Sequence, residues 1–208
     1  MSAGPFPAVV LAGGRATRMG GGDKCLLPLA GRPLLSAVLD RLSAQAGPLA
    51  LNANGDPARF DPFGLPVVAD TLSGFAGPLA GVLAAMEWAA RTTDAEAVAT
   101  VAGDTPFFPA DLIVRLASGR RTSARIALAA SSGRLHPVFG LWPLVLRQDL
   151  VRHLAETDDA SVRAFAASTG FERVDFPTST SDLDPFFNVN TPDDLARADA
   201  HARQGPRP

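Results

Sequence analysis

Ala8-Val9-Val10-Leu11-Ala12-Gly13-Gly14-Arg15-Ala16-Thr17-Arg18-Met19-Gly20-Gly21-Gly22-Asp23-Lys24 is the stretch on which the reading of this chain turns. Its first four residues are apolar, two of them β-branched, and Gly13-Gly14 stops them abruptly, which predicts a short buried strand running into a loop. Five glycines in the segment allow sharp turns and bring backbone N–H groups close to a ligand. Successive amides in such a loop form a concavity for anions, and Arg15, Arg18 and Lys24 add positive charge to it. The loop leaves the carboxyl end of a strand, where open α/β sheets bind ligands. A surface loop would use the same glycines only to turn; glycines, cations and a strand end together point to a phosphate-bearing ligand.

Two familiar phosphate loops are excluded. A P-loop needs Gly-x-x-x-x-Gly-Lys followed by Ser or Thr, whereas Lys24 is followed by Cys25 and Leu26. The Gly-x-Gly-x-x-Gly spacing of dinucleotide folds does not occur here either.

Outward from this loop, strand and helix patterns alternate, as in βαβ units around a mostly parallel sheet. Strands are expected at 49–51, 65–69 and 97–103, and helices at 33–45, 78–91 and 111–118. Residues 125–130 and 136–142 read as a hairpin about Ser131-Ser132-Gly133. Helices at 144–154 and 161–168, strands at 171–176 and 186–190, and a helix at 192–202 follow. The expected fold class is α/β: a three-layer αβα Rossmann-like architecture with a mostly parallel central sheet. The chain, residues 1–208, reads as a single domain, with a first half at about 6–108 for the phosphate ligand and a second at about 109–203.

The bulk numbers exclude several function classes. A 208-residue chain with 47% hydrophobic and 19% charged residues is an ordinary globular composition. Nineteen Lys and Arg against 21 Asp and Glu give a formal charge of −2, which disfavours a nucleic-acid-coating surface. Tyr is absent and aromatics are 7%, which disfavours base-stacking platforms. One cysteine, Cys25, permits no internal disulfide and suits a reducing compartment. No signal-peptide pattern and no membrane-length apolar run occur, so the expectation is a cytoplasmic protein with neither nucleic acid nor membrane as partner.

Acidic and polar residues fall at the expected strand ends. Asp104 follows the apolar run 97–103 and precedes Thr105-Pro106. Alone it suits an N-cap or turn as well as a metal; beside a phosphate loop in the same sheet it points to a hard cation such as Mg²⁺. Asn52 and Asp70 end two other strands, and by residue type alone a turn for Asn52 and a helix cap for Asp70 are the favoured readings. Asn188 and Asn190 flank a turn in which Thr191 caps the last helix over Pro192. His136 reads as a packed strand histidine.

Leu-x-Gly-Gly followed by Arg18-Met19-Gly20 and Lys24 resembles the signature loop of the nucleotidyltransferase superfamily. The fuller string Leu-Ala-Gly-Gly-x-x-x-Arg-Met-Gly-Gly-x-Asp-Lys is similar to the molybdenum cofactor guanylyltransferases of the MobA type. The likeness runs from about Phe6 to Ala202, and Gly103-Asp104-Thr105-Pro106-Phe107 is similar to that family's metal-binding turn. The resemblance implies nucleotide contacts from Leu11, Ala12, Gly13, Gly14, Lys24, Asn52, Asp70 and Asp104. It implies Mg²⁺ on Asp104, triphosphate held by Arg18 and Lys24, and a close approach of the chain at Gly77-Pro78-Leu79-Ala80-Gly81. The His136–Gly140 and Asn188–Leu195 segments would line the acceptor side, with Asn188 and Asn190 on the pterin. Catalytic roles then fall to Lys24, Arg18 and Asp104.

The reaction implied is transfer of GMP from GTP to molybdopterin, giving the guanine dinucleotide and pyrophosphate. A phosphate nucleophile is already ionised at neutral pH, so no general base is required, and positioning with charge neutralisation suffices. Partners beyond these substrates would be molybdoenzyme-specific chaperones or other cofactor-biosynthesis proteins. A cytidylyltransferase acting on the same cofactor, a sugar-phosphate nucleotidyltransferase and a non-catalytic nucleotide-binding module are the competing readings. The first usually shows Leu-Ala-Ala-Gly where this chain has Leu11-Ala12-Gly13-Gly14; the second suits the short chain and Asn-Val-Asn poorly; the third does not need both Lys24 and Asp104.

Overall fold

A computed structural model of the chain describes residues 6–13, 22–72, 77–157, 159–178 and 183–204. The predicted first strand, β1 (Ala8–Leu11), lies inside a seven-stranded sheet with the order β5-β4-β1-β6-β8-β7-β9. Its companions are β4 (Leu49–Asn52), β5 (Val67–Val68), β6 (Ala97–Ala102), β7 (Ile126–Ser131), β8 (Arg134–Pro143) and β9 (Phe171–Phe176). β8 is antiparallel to β6 and β7; the other pairings are parallel, so the sheet is mostly parallel, as expected. A small separate hairpin, β2 (Pro28–Leu29) with β3 (Arg32–Pro33), turns at Ala30-Gly31.

Both faces of the sheet are covered, and the alternation of side chains along each strand shows why. Ala8, Val10, Leu51, Ala97, Ala99 and Val101 face one core, with α1 (Leu34–Ser43), α3 (Leu112–Gly119) and α6 (Pro192–Arg203) packed on it. Val9, Ala50, Val98, Ile126 and Leu128 face the other, under α2 (Pro78–Thr92), α4 (Arg147–Glu156) and α5 (Val162–Thr169). A strand buried on both faces needs mostly apolar residues, which is why 8–11 reads as an unbroken run and 97–102 as one interrupted only by the buried Thr100. Among the described residues no helix is long and apolar enough to cross a membrane.

The strand order reverses beside β1. The chain moves outward through β4 and β5, then crosses back to β6 on the other side of β1. This is the switch point at which doubly wound sheets open a crevice past their carboxyl ends.

One expected strand is absent. Residues 186–190 form a turn and extended coil rather than a strand. The Asp184 carboxylate accepts from Phe186 N at 2.8 Å, its carbonyl accepts from Phe187 N at 2.9 Å, and Val189 N is taken by Asp104 O at 2.9 Å. With those amides committed to a turn and to the β6 loop, the segment does not pair in the sheet. β7 and β8 form the expected hairpin with one shift: Ser131 belongs to β7 and is buried, and the turn is Ser132-Gly133, both at positive φ.

Candidate active site

The carboxyl ends of β1, β4 and β6 converge on a cleft of about 550 Å³. Leu11, Ala12 and Gly13 bring backbone to its floor, Asn52, Asp70 and Asp104 bring polar side chains, and Lys24 and Cys25 close one side. Ala12 N donates to Asn52 O at 2.9 Å and Gly103 N to Leu11 O at 3.0 Å, so the three strand ends are tied before any side chain is considered. A Cβ at Gly103 would lie 3.2 Å from Leu11 O and 3.3 Å from Ala12 Cα, closer than a side chain ordinarily tolerates. The amino end of α2 opens on the same cleft through Gly77 and Pro78, with no acidic residue in its first turn, an arrangement that favours anions.

Asn52 is fixed by its neighbours. Its amide nitrogen donates to Val68 O at 3.1 Å and to Asp70 Oδ1 at 2.9 Å, which leaves Oδ1 as the free acceptor. Asn54 donates to Asp70 Oδ2 at 2.7 Å, so one carboxylate orients both amides. Gly81 of α2 lies against this group, and any Cβ there would collide with Asn52 Oδ1.

Lys24 stands at a seam. Its Nζ donates to Asn190 Oδ1 at 2.6 Å and lies 3.8 Å from Asp104 Oδ2. Burial pushes the Asp104 carboxyl above its ordinary range, and the Lys24 ammonium opposes that shift. Among the described residues the carboxylate beyond Lys24 meets only its own backbone amide and the Thr105 hydroxyl, the latter at 3.5 Å, so it keeps acceptor capacity to spare. A poorly solvated carboxylate with spare acceptor capacity is the donor that a hard cation takes when phosphate oxygens and water supply the rest. Cys25, next to Lys24, is inert: burial, Asp23 and Asp104 raise its thiol to about 12.

A second cavity, of about 460 Å³, adjoins the first and shares Ala102, Val138 and Asn188 with it. It owes its shape to β8. The β7–β8 register shifts between Leu128 and Ala129, pairing Leu128 with Gly140 but Ala129 with His136, so Pro137-Val138-Phe139 bulge out of the ladder. Thr100 Oγ1 recovers the stranded Val138 carbonyl at 2.6 Å. Behind the bulge Ser131 Oγ lies 2.6 Å from His136 Nε2 and donates to Asp184 at 2.9 Å. Since a carboxylate only accepts, the one Ser131 proton goes to Asp184, and His136 must present Nε2–H to the serine oxygen. This is no nucleophile triad, because the carboxylate holds the hydroxyl rather than the imidazole. Burial lowers the His136 pKa, with Asp184 pulling the other way, and the ring stacks on Phe186 at 4.4 Å.

Of the residues singled out in the sequence, Leu11, Ala12, Gly13, Lys24, Asn52, Asp70, Asp104 and Asn188 line the first cavity, and Asn188 and Asn190 the second. Gly14 and Arg18, with Arg15, lie outside the described residues. The sequence reading missed Asp184, the Val138 bulge and Ser131, which it took for a turn residue. Pro137, unable to donate within a strand, was the one local signal of the bulge.

A family model described as the MobA-like NTP transferase domain matches residues 8–174. The chain is 53% identical over 192 residues to a protein of Mesorhizobium japonicum named molybdenum cofactor guanylyltransferase, covering 91% of this chain and 92% of that one. It is 54% identical over 203 residues to one of the same name from Rhodopseudomonas palustris, covering 97% and 96%. The solved structure of molybdopterin-guanine dinucleotide biosynthesis protein A from Archaeoglobus fulgidus matches with a TM-score of 0.74 over 96% of this chain and all (100%) of that one. At 20% identity that match speaks for the fold. A family model spanning most of the chain, relatives more than half identical almost end to end, and a cleft at the sheet's switch point lead to one assignment: the chain belongs to the MobA-like NTP transferase family of nucleotidyltransferases.

Proposed function

We propose that the chain transfers GMP from GTP to molybdopterin, forming molybdopterin guanine dinucleotide and pyrophosphate. The observation that carries this reading is the seam: Lys24 bonded to Asn190 and adjacent to Asp104, between two cavities that share a wall. A group-transfer enzyme needs its two substrates to meet at one charged point, and a binding module does not. The names borne by the close relatives favour guanine over cytosine as the base.

In this reading residues 6–108 hold the nucleotide and 109–203 the acceptor. Leu11, Ala12, Gly13 and Gly14 take base and ribose through backbone, while Asn52 and Asp70 contact the nucleotide from the adjoining strand ends. The acceptor's terminal phosphate oxygen attacks the α-phosphorus; the new P–O bond forms as the α–β bridge breaks and its electrons leave with pyrophosphate. Lys24 and Arg18 offset charge on that leaving group, and Asn188 and Asn190 hold the pterin. Nucleotidyltransferases of this type use a divalent metal, and Asp104 fits Mg²⁺ by its spare acceptor capacity. When bound there, the ion would neutralise phosphate charge. A lone thiol suits a reducing compartment, which supports a cytoplasmic location.

Pyrophosphate release, measured with molybdopterin and each of GTP, CTP, ATP and UTP, tests the assignment. GTP should support turnover at least about a hundred-fold better than CTP, the discrimination that hydrogen-bonded base recognition permits. Equal use of CTP would overturn the guanylyl reading, and turnover with a sugar phosphate but not molybdopterin would overturn the acceptor.

A further inference from the structure

We propose that Arg59 is a positioning residue for the nucleotide site, a clamp that holds the Asp23–Lys24 end of the first loop against the turn after β4. The proposal rests on the reading of Lys24 as a phosphate ligand. Arg59 sits on a short 3-10 turn, Pro57–Phe63, whose Ala58 amide is capped by the Asp56 carboxylate at 3.0 Å. Its guanidinium spends three donors in three directions. Nε reaches Asp23 Oδ2 at 2.5 Å, Nη2 reaches Asn54 O at 2.7 Å, and Nη1 donates to Asp56 O. Its carbon lies 4.6 Å over the ring of the fully buried Phe60, which prevents the head group from swinging away.

What the clamp joins gives it a role. Asp23 immediately precedes Lys24 and stands at the start of the single 3-10 turn Lys24–Leu26, its carbonyl accepting from Leu26 N at 3.1 Å, so the direction of the Lys24 side chain follows from where Asp23 is held. Asn54, on the other side, exchanges two hydrogen bonds with Asp70, at 2.7 and 2.9 Å, and Asp70 in turn orients Asn52. One continuous chain of contacts therefore runs from Lys24 to Asn52 through Arg59, behind the cleft. The pair also has an electrostatic effect. Among the described residues Arg59 is the cation that pairs with Asp23, and the pair, with side chains only 26% and 16% exposed, offsets that carboxylate beside a polyanion site where water screens poorly.

The test is equilibrium binding of GTP with Mg²⁺, and steady-state kinetics, for Arg59→Ala, Arg59→Lys, Asp23→Asn and the Arg59→Ala/Asp23→Asn pair. Arg59→Ala should raise the KM and Kd for GTP about ten-fold while kcat moves less and the acceptor KM stays put, the signature of lost ground-state positioning. Arg59→Lys should recover little, since an ammonium cannot reach three partners in a fixed fork. Asp23→Asn should show a smaller loss, since it loosens the clamp but also removes an anion beside the phosphates, and the double variant should be no worse than Arg59→Ala alone. Wild-type GTP affinity in Arg59→Ala, or losses that multiply in the double variant, would overturn the clamp. If Arg59→Ala does not fold, Asp23→Asn decides alone. Lys24→Ala in the same assay separates the two ideas: unchanged GTP binding there removes the site reading itself, whereas a loss there beside a silent Arg59→Ala removes only the clamp.

Discussion

The two adjoining cavities are built by different means. The first is made largely of backbone: three parallel strand ends tied by main-chain hydrogen bonds, small residues at Ala12, Gly13 and Gly81, and the amino end of α2. The second is made of side chains on a distorted strand, with Val138 pushed out by a bulge and Ser131, His136 and Asp184 holding one another behind it. A phosphate chain is recognised by amides and charge that a sheet's topology supplies. A particular heterocycle needs side chains placed individually. The difference should therefore appear in kinetics, with substitutions on each side of the seam separating nucleotide from acceptor parameters.

The largest effect is expected at the seam. Asp104→Ala should lower kcat by about a hundred- to a thousand-fold, as loss of a preorganised electrostatic group does, with circular dichroism unchanged. Turnover near wild type would break the comparison at its centre. Next, Gly81→Ala should raise the GTP KM by at least about ten-fold, because the added methyl strikes an Asn52 oxygen whose amide is already pinned twice. Alanine is the better helix former by about 1 kcal/mol, so a specific loss of nucleotide affinity would locate the effect at Asn52. An unchanged GTP KM would show that backbone closeness there is not needed.

Ser131→Ala sharpens the other side. It strips His136 Nε2–H and Asp184 of their common partner and should cost about 1–3 kcal/mol of stability in chemical denaturation. Its acceptor KM should rise several-fold with the GTP KM untouched; equal change in both would mean that the cavities are not separable. The smallest effect concerns pH. Burial depresses the folded-state pKa of His136, so the unfolded chain binds its proton more readily. This residue therefore subtracts nothing above its unfolded pKa and destabilises as pH falls below it. Between about pH 7.5 and about pH 5.5, His136→Gln should lose less Tm than wild type, and parallel losses would remove His136 as a contributor.

Much of this was legible because the relevant physics is local. The short apolar run 8–11 and the run 97–102, interrupted only by Thr100, fit strands covered on both faces, and the residues after them fall on one rim. Asp104 was found in that way; Asn52 and Asp70 end the neighbouring strands, but their role was legible only through the family resemblance. The segment 186–190 misled because alternating Phe, Asn and Val has the strand period, while the decision lay with Asp184 and with Asp104 O, which captured its amides. Ser131 with Asp184 and Arg59 with Asp23 were illegible for the same reason: their partners stand 53 and 36 residues away, and nothing in the intervening sequence marks either pair.

The order of the sheet leaves β5 and β9 at its margins, and each margin is guarded against stray pairing with another chain. β5 is only two residues long, too short to template a foreign strand. β9 carries Glu172, Arg173 and Asp175 in its middle, and Arg115 occupies the outward carbonyl of Asp175 at 2.6 Å. Among the described residues, an otherwise apolar, alanine-rich sheet thus ends on margins that give a foreign strand little to pair with.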